Sequence, residues 1–316
     1  MVDYLIYEGE PIAVPALRVI AILSGNVHDT DNRLVLAKAY ALFESSFGEA
    51  ANVTSYNFPG HKGKIRWMKP SLDQDGKAFF TRETIAYGEG LRRYGYALED
   101  FEEPALPYFA VEQRDDLVFF EVDLPVDQPQ SRAFADAITP ELTKAQMIWG
   151  VIGLGMFLPP YKSSLEFELG RSVPRYRTSI EITPSMVTDG LRREGSAHRW
   201  AKTEEPGIPD IGWKTFIGRE FWPRIPEAKA RLEAQPDVTV AEEHNALVVT
   251  AGDDPIWGDV NHDEDISAFI SIAEALLPIR YPLGAAKAFM FGGDPGNARI
   301  VDRVEAYLGR YVPIEQ

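Results

Sequence analysis

VTVAEEHNALVVTAGDDPIWGDVNHDEDISAFISIAEALL, residues Val238–Leu277, sets a hairpin, a loop and a helix end to end. Val238–Val240 and Ala246–Thr250 are short apolar runs with β-branched residues, and EEHN between them is a hairpin turn. In the loop that follows, Asp253, Asp254, Asp259, Asp263, Glu264 and Asp265 stand with no Lys or Arg among them. From Ser267 the spacing of Phe269, Ile270, Ala273, Leu276 and Leu277 predicts a helix with one apolar face. A hairpin that leads through a loop into a helix is not the strict βαβ rhythm of a doubly wound sheet. It places the chain in the α+β class, with mixed or antiparallel sheets and packed helices.

The flanking sequence agrees. Leu17–Leu23 (LRVIAIL) reads as a buried strand. Asp29, Thr30 and Asp31 offer capping oxygens to a helix that Gly48 stops. Asn52–Phe58 and Lys64–Trp67 predict two strands around the turn PGHKG, and Ser71–Pro107 carries no clear pattern. Asp116–Leu124 and Ile148–Leu158 predict strands, the second with glycines that allow close backbone approach. Ser131 starts a short helix that Pro140 limits. Near Gly170 the composition turns toward Arg and Pro, which suggests two lobes, 1–170 and 171–316. Beyond it, Thr183-Pro184 starts a helix over TPSMVTDGLRREG, Glu204–Asp210 is loop, and Pro226–Ala234 is a short helix. Asn297 caps a last helix that ends at Gly309. Trp213, Phe216, Phe221 and Trp222 form the densest aromatic group, read as core, and Tyr161, Arg175, Tyr176 and Arg177 are candidates for a cleft wall.

Composition narrows the function. At 316 residues the chain can bury a large core, and its formal net charge is −16. That charge repels nucleic acid and anionic membranes and speeds encounter with cationic partners. With no cysteine, disulfides, thiol catalysis, iron–sulfur clusters and Cys-type zinc sites are excluded. The N-terminal sequence lacks the pattern of a signal peptide and no run is long enough to span a bilayer, so a soluble, cytoplasmic protein is expected.

No catalytic signature emerges. The glycines of VIGLG fail the dinucleotide fingerprint, because Leu158 stands where a third glycine belongs. No phosphate loop and no nucleophile elbow occur. His28, His61, His198, His244 and His262 do not pair at helical spacing. Asp259, Asn261, Asp263 and Asp265 alternate like the start of an EF-hand loop, but Glu264 and Ile270 occupy the positions that need glycine and a bidentate glutamate. No metal and no cofactor are expected, and the chain is not expected to be an enzyme. The alternative kept open is a metal-dependent hydrolase using 253–265. Asp263, Glu264 and Asp265 suit the positive end of the Ser267 helix. Asp253, Asp254 and Asp259, around Trp257, are left as the edge of a protein-binding surface.

The second half resembles the type VI secretion immunity family (TsiV-like). Trp213, Thr215, Phe216, Ile217 and Gly218 match its W-x-T-F-[LI]-G box. Ala251, Gly252, Pro255, Gly258, Asp259 and Asn261 match an A-G-x-x-P-x-x-G-D-x-N tract, and Pro278 and Arg280 match L-x-P-[IL]-R. The first half is similar in the order of its strands. Where the family usually has a basic or small residue after G-D-x-N, His262 is here followed by three acids. The resemblance implies an immunity protein that binds a cognate toxin in the cytoplasm of the producing cell. Some relatives are paired with nuclease toxins and are thought to cover the active site. Asp253, Asp254, Trp257, Asp259, Asp263, Glu264 and Asp265 are then the expected partner-binding residues. Trp213, Thr215, Phe216, Gly218, Gly252, Pro255, Gly258 and Asn261 are the expected scaffold of the motifs.

Overall fold

The computed structural model describes residues 2–95, 106–191, 205–292 and 296–312. In chain order the strands are β1 (Leu5–Tyr7), β2 (Glu10–Ser24), β3 (Val53–Asn57), β4 (Ile65–Trp67), β5 (Gly90–Tyr94), β6 (Tyr108–Arg114), β7 (Leu117–Pro125), β8 (Met147–Phe157), β9 (Lys214–Gly218), β10 (Val238–Glu243) and β11 (Ala246–Ala251). The α-helices are α1 (Thr30–Phe47), α2 (Pro70–Phe79), α3 (Pro129–Leu142), α4 (Pro184–Val187), α5 (Ala228–Glu233), α6 (Ser267–Ala275), α7 (Leu283–Phe289) and α8 (Ala298–Leu308). The strands form one antiparallel sheet in the order β10-β11-β9-β8-β2-β7-β6-β5-β3-β4, with β1 also on β2. This is an α+β fold. The sheet passes without a break across position 170, where the composition suggests a change of lobe, because β9 pairs with β8.

β2 is the central strand. Leu17, Val19 and Ala21 face α1 and α3 together with Phe109, Phe120 and Val122 of the neighbouring strands. Tyr40 and Phe43 of α1 meet Phe109 ring to ring at 5.3 and 5.2 Å. Burying these side chains is the main stabilisation of this layer, at roughly 1.5–3 kcal/mol each.

The opposite face carries charge. Arg18 is fully buried and donates from Nε to Asp123 Oδ1 and from Nη2 to Glu121 Oε1, both at 2.6 Å. Its Nη1 donates to the carbonyls of Met156, Ile180 and Ile182 at 3.1, 3.0 and 2.9 Å. Burial pushes both carboxyls upward, and the Arg18 guanidinium pulls them back. Gly155 makes the approach of segment 176–183 possible: a Cβ there would stand 2.1 Å from Ile180 O. The glycines of VIGLG therefore serve packing.

Glu181 lies in the same layer. It accepts from Gly170 N–H and from the hydroxyls of Ser172 and Ser179, and its own N–H donates to Tyr307 Oη at 3.0 Å. Burial pushes its carboxyl up to about 7, against the pull of Gly170 and Ser179. A folded value above the unfolded one means that this stabilisation is complete below the unfolded pKa and is lost as pH rises through about 7. The melting temperature should accordingly fall between about pH 5 and about pH 8, and fall less in Glu181→Gln. Parallel melting curves for the two proteins would remove Glu181 from this account.

Several expectations are corrected. β2 begins at Glu10 rather than Leu17, running through Pro11 and Pro15. α3 continues past Pro140 to Leu142, with Thr139 Oγ1 donating to Ala135 O in its last turn. Gly48 ends α1 with φ −59°, not in the left-handed region, and the Asp29 carboxylate accepts from Asn26 N–H instead of capping the helix. The helix expected from Thr183 is short, Pro184–Val187 followed by a 3-10 turn to Gly190, and its expected continuation RREG lies outside the described residues, as do Glu204 and His198. α6 stops at Ala275, and Ile272 rather than Leu277 completes its buried face. α2, β5, β6 and β9 were not evident in the sequence.

Candidate partner-binding surface

β11 leaves the sheet at Ala251, and the acidic loop begins there. Gly252 takes φ +68° and donates to Asp237 O at 2.7 Å, while Trp213 Nε1 donates to Gly252 O at 3.2 Å. Trp213 is buried and anchors the loop from below. Thr215 and Phe216 are buried in β9 beside it, and Gly218 passes so close to β8 that a Cβ would stand 2.2 Å from Met147 O. The aromatic group of this region is core, as expected, with Trp222 partly buried at its edge.

The loop is laid along segment 175–178. Thr178 N–H donates to Trp257 O at 3.1 Å, Arg177 N–H to Gly258 O at 3.2 Å, and Val260 N–H to Arg175 O at 3.0 Å. Gly258 takes φ +63°, and a Cβ there would stand 3.0 Å from the side chains of Ile266 and Thr178. Trp257 is partly buried and tilts against Tyr176 with ring centroids 5.5 Å apart.

The acids divide into two groups. Asp259 is buried, which removes it from the exposed rim. It accepts from Asn261 N–H at 3.0 Å, from Arg175 at 3.3 Å, and lies 3.0 Å from His262 Nδ1. Burial alone would raise its pKa; the bonds from Arg175, Asn261 and His262 outweigh burial and hold it at about 2. Glu264 accepts from Asp259 N–H at 3.0 Å, and Asp265 accepts from Ser267 N–H, the first N–H of α6, at 2.8 Å, although the N-cap position itself is Ile266. Asp263 sits at φ 50° and turns the chain. The side chains of Asp253, Asp254, Asp263, Glu264 and Asp265 are exposed.

Two arginines that the sequence does not flag as a pair complete the surface. Arg132 of α3 bonds Asp254 and Asp136, donates to Asp253 O at 2.9 Å, and lies over the Trp213 ring at 4.3 Å. Arg175 is committed to Asp259. The sequence signal for Arg132 is its four-residue spacing from Asp136; Arg175 stands among the cleft-wall candidates of the sequence.

The loop forms one wall of a cleft of about 930 Å³. Its other walls include Val14, Pro15 and Leu17 of β2, the turn from β7 into α3, Leu154 of β8, and Val2 and Tyr4. Asp127, Asp254, Asp259 and Glu264 reach this space against Arg132 and Arg175, two cations for four carboxylates. Of the four residues suggested as a cleft wall, Arg175 lines this cleft and Tyr161 a second, smaller one. Tyr176 is buried under Trp257, and Arg177 donates to Arg310 O. Among the described residues, no group of three or more His, Asp and Glu side chains is placed to hold a metal. No helix among them is long and apolar enough to cross a membrane.

The fold is similar to that of the solved Pseudomonas aeruginosa T6SS protein PA0821, with a TM-score of 0.69 and 14% identity, over 98% of this chain and 90% of that one. No family model matches the chain. No curated protein matches it either.

Proposed function

We propose that this chain is an immunity protein of a type VI secretion system, which binds a cognate toxin in the cytoplasm and blocks it by occupation rather than by catalysis. The observation that carries the reading is the exposed run of carboxylates Asp253, Asp254, Asp263, Glu264 and Asp265, of which Asp254 and Glu264 line a cleft with an apolar floor. Such a rim suits the basic surface that a nucleic-acid-cutting toxin needs for phosphate. The fold shared with a T6SS protein over nearly the whole chain, and the motifs around Trp213 and Gly252, support the same setting.

Co-purification with the product of the adjacent effector gene, and rescue of cells that express it, tests the proposal. A stable complex and rescue are expected; neither one appearing would end it. Association should slow by about tenfold or more as salt rises from low to physiological strength, because exposed charges are screened over about 8–10 Å. Asp253→Asn with Asp254→Asn should slow association at low salt and leave dissociation nearly unchanged. An unchanged on-rate would take these two carboxylates out of the encounter.

A further inference from the structure

We infer that the cleft behind the acidic rim receives a protruding cationic segment of the toxin, apolar at its tip and carrying Lys or Arg at its base. The inference rests on the toxin-binding reading and adds insertion to it.

The cleft, about 930 Å³, is large enough for several side chains rather than one. Its floor is apolar: Val14 and Leu17 from β2, Leu154 from β8, Pro125 from the end of β7. Trp257 stands at its wall with part of its ring exposed, a surface on which a guanidinium can lie. The mouth carries Asp127 and Glu264, outside any ion pair among the described residues, and Asp254, which is paired with Arg132. Both arginines at the cleft are already committed, Arg132 to Asp136 and Asp254, Arg175 to Asp259. Neither has charge to spare for an anionic guest. A purely apolar guest would take water from the Asp127 and Glu264 carboxylates and give them no cation in return. A second copy of the chain would bring a further net charge of −16 to the same rim. A segment with an apolar tip and a basic base satisfies floor and mouth together.

Two variants test insertion without touching the core, since Val126 and Asp127 are exposed at the mouth. Val126→Trp should fill the entrance and weaken the complex with the adjacent effector product at least tenfold, through faster dissociation. Asp127→Lys should slow association at least tenfold. Trp67→Ala, on the distant edge strand β4, should change neither rate. Melting curves check that each variant is folded. If wild type binds the toxin and both cleft variants bind it equally well, insertion is overturned while toxin binding stands. If wild type binds no effector product, the toxin-binding reading falls, and the cleft is judged by a labelled synthetic peptide with a leucine tip between arginines. Saturable, salt-sensitive peptide binding that Val126→Trp abolishes supports the inference; absent binding, or binding indifferent to Val126→Trp, overturns it. A dimer in light scattering that Val126→Trp disperses would assign the cleft to a second copy and overturn it as well.

Discussion

Replacement of Arg18 by alanine is expected to lower the melting temperature by roughly 5–10 °C, corresponding to about 3–5 kcal/mol. The side chain is fully buried and answers two buried carboxylates, Glu121 and Asp123, and three carbonyls. Alanine would remove this donor from all five; Ile180 O keeps Met156 N–H, while the two carboxylates would lose their cation in a largely buried place. The loss should shrink at acid pH, because protons can then neutralise the two carboxyls that burial already pushes upward. Removing the carboxylates with the arginine, as Arg18→Met, Glu121→Gln and Asp123→Asn together, should recover much of the stability. A loss below about 1 kcal/mol in thermal or urea unfolding of Arg18→Ala would show that the cluster does not hold the two faces together.

Gly155→Ala should cost about 3 kcal/mol, near the upper end of what overpacking does in a well-filled interior. The added Cβ would meet Ile180 O at 2.1 Å and Arg18 Cδ at 2.8 Å, so backbone must move. Gly284→Ala is the matched control: it lies in α7 with open space around it and should gain about 0.5–1 kcal/mol from helix propensity. Equal melting temperatures for the two variants would contradict the close approach of segment 176–183 to β8.

These positions also show what the sequence made legible. IWGVIGLGMFL is a continuous apolar run, LRVIAIL is broken only by Arg18, and DLVFFEVDL alternates in part; each is a strand between other strands. β5 is GLRRY, whose arginines hide the pattern: Arg93 is buried because Glu44, Tyr40 and two backbone carbonyls from 48–51 are folded around it. In α2, Gly76 reads as a breaker, yet it sits under the Tyr40 and Tyr56 hydroxyls, where a Cβ would come within 2.6 and 2.4 Å. Pro15 obscured the first half of β2; it stands opposite Met156, whose N–H goes to Ile180 O instead. The acidic tract was visible as composition. Its division into scaffold and surface was not, because Asp259 is buried by Arg175 from 84 positions earlier and Asp254 is held by Arg132 from 122 positions earlier.

The strand order has a consequence for synthesis. β2 lies between β7 and β8, so everything from β3 to β7 grows outward from one edge and β8 to β11 from the other. A nascent chain can assemble the first half-sheet while the second edge of β2 still faces water. That edge is closed only when Met147–Phe157 leaves the ribosome, and Arg18 lacks its last carbonyl partner until Ile182 does. Through that interval the growing polypeptide carries an apolar strand with unpaired N–H and C=O groups, the kind of surface on which neighbouring nascent chains stick to one another. How long that edge stays open is set by the translation time between β7 and β8 rather than by the stability of the finished molecule.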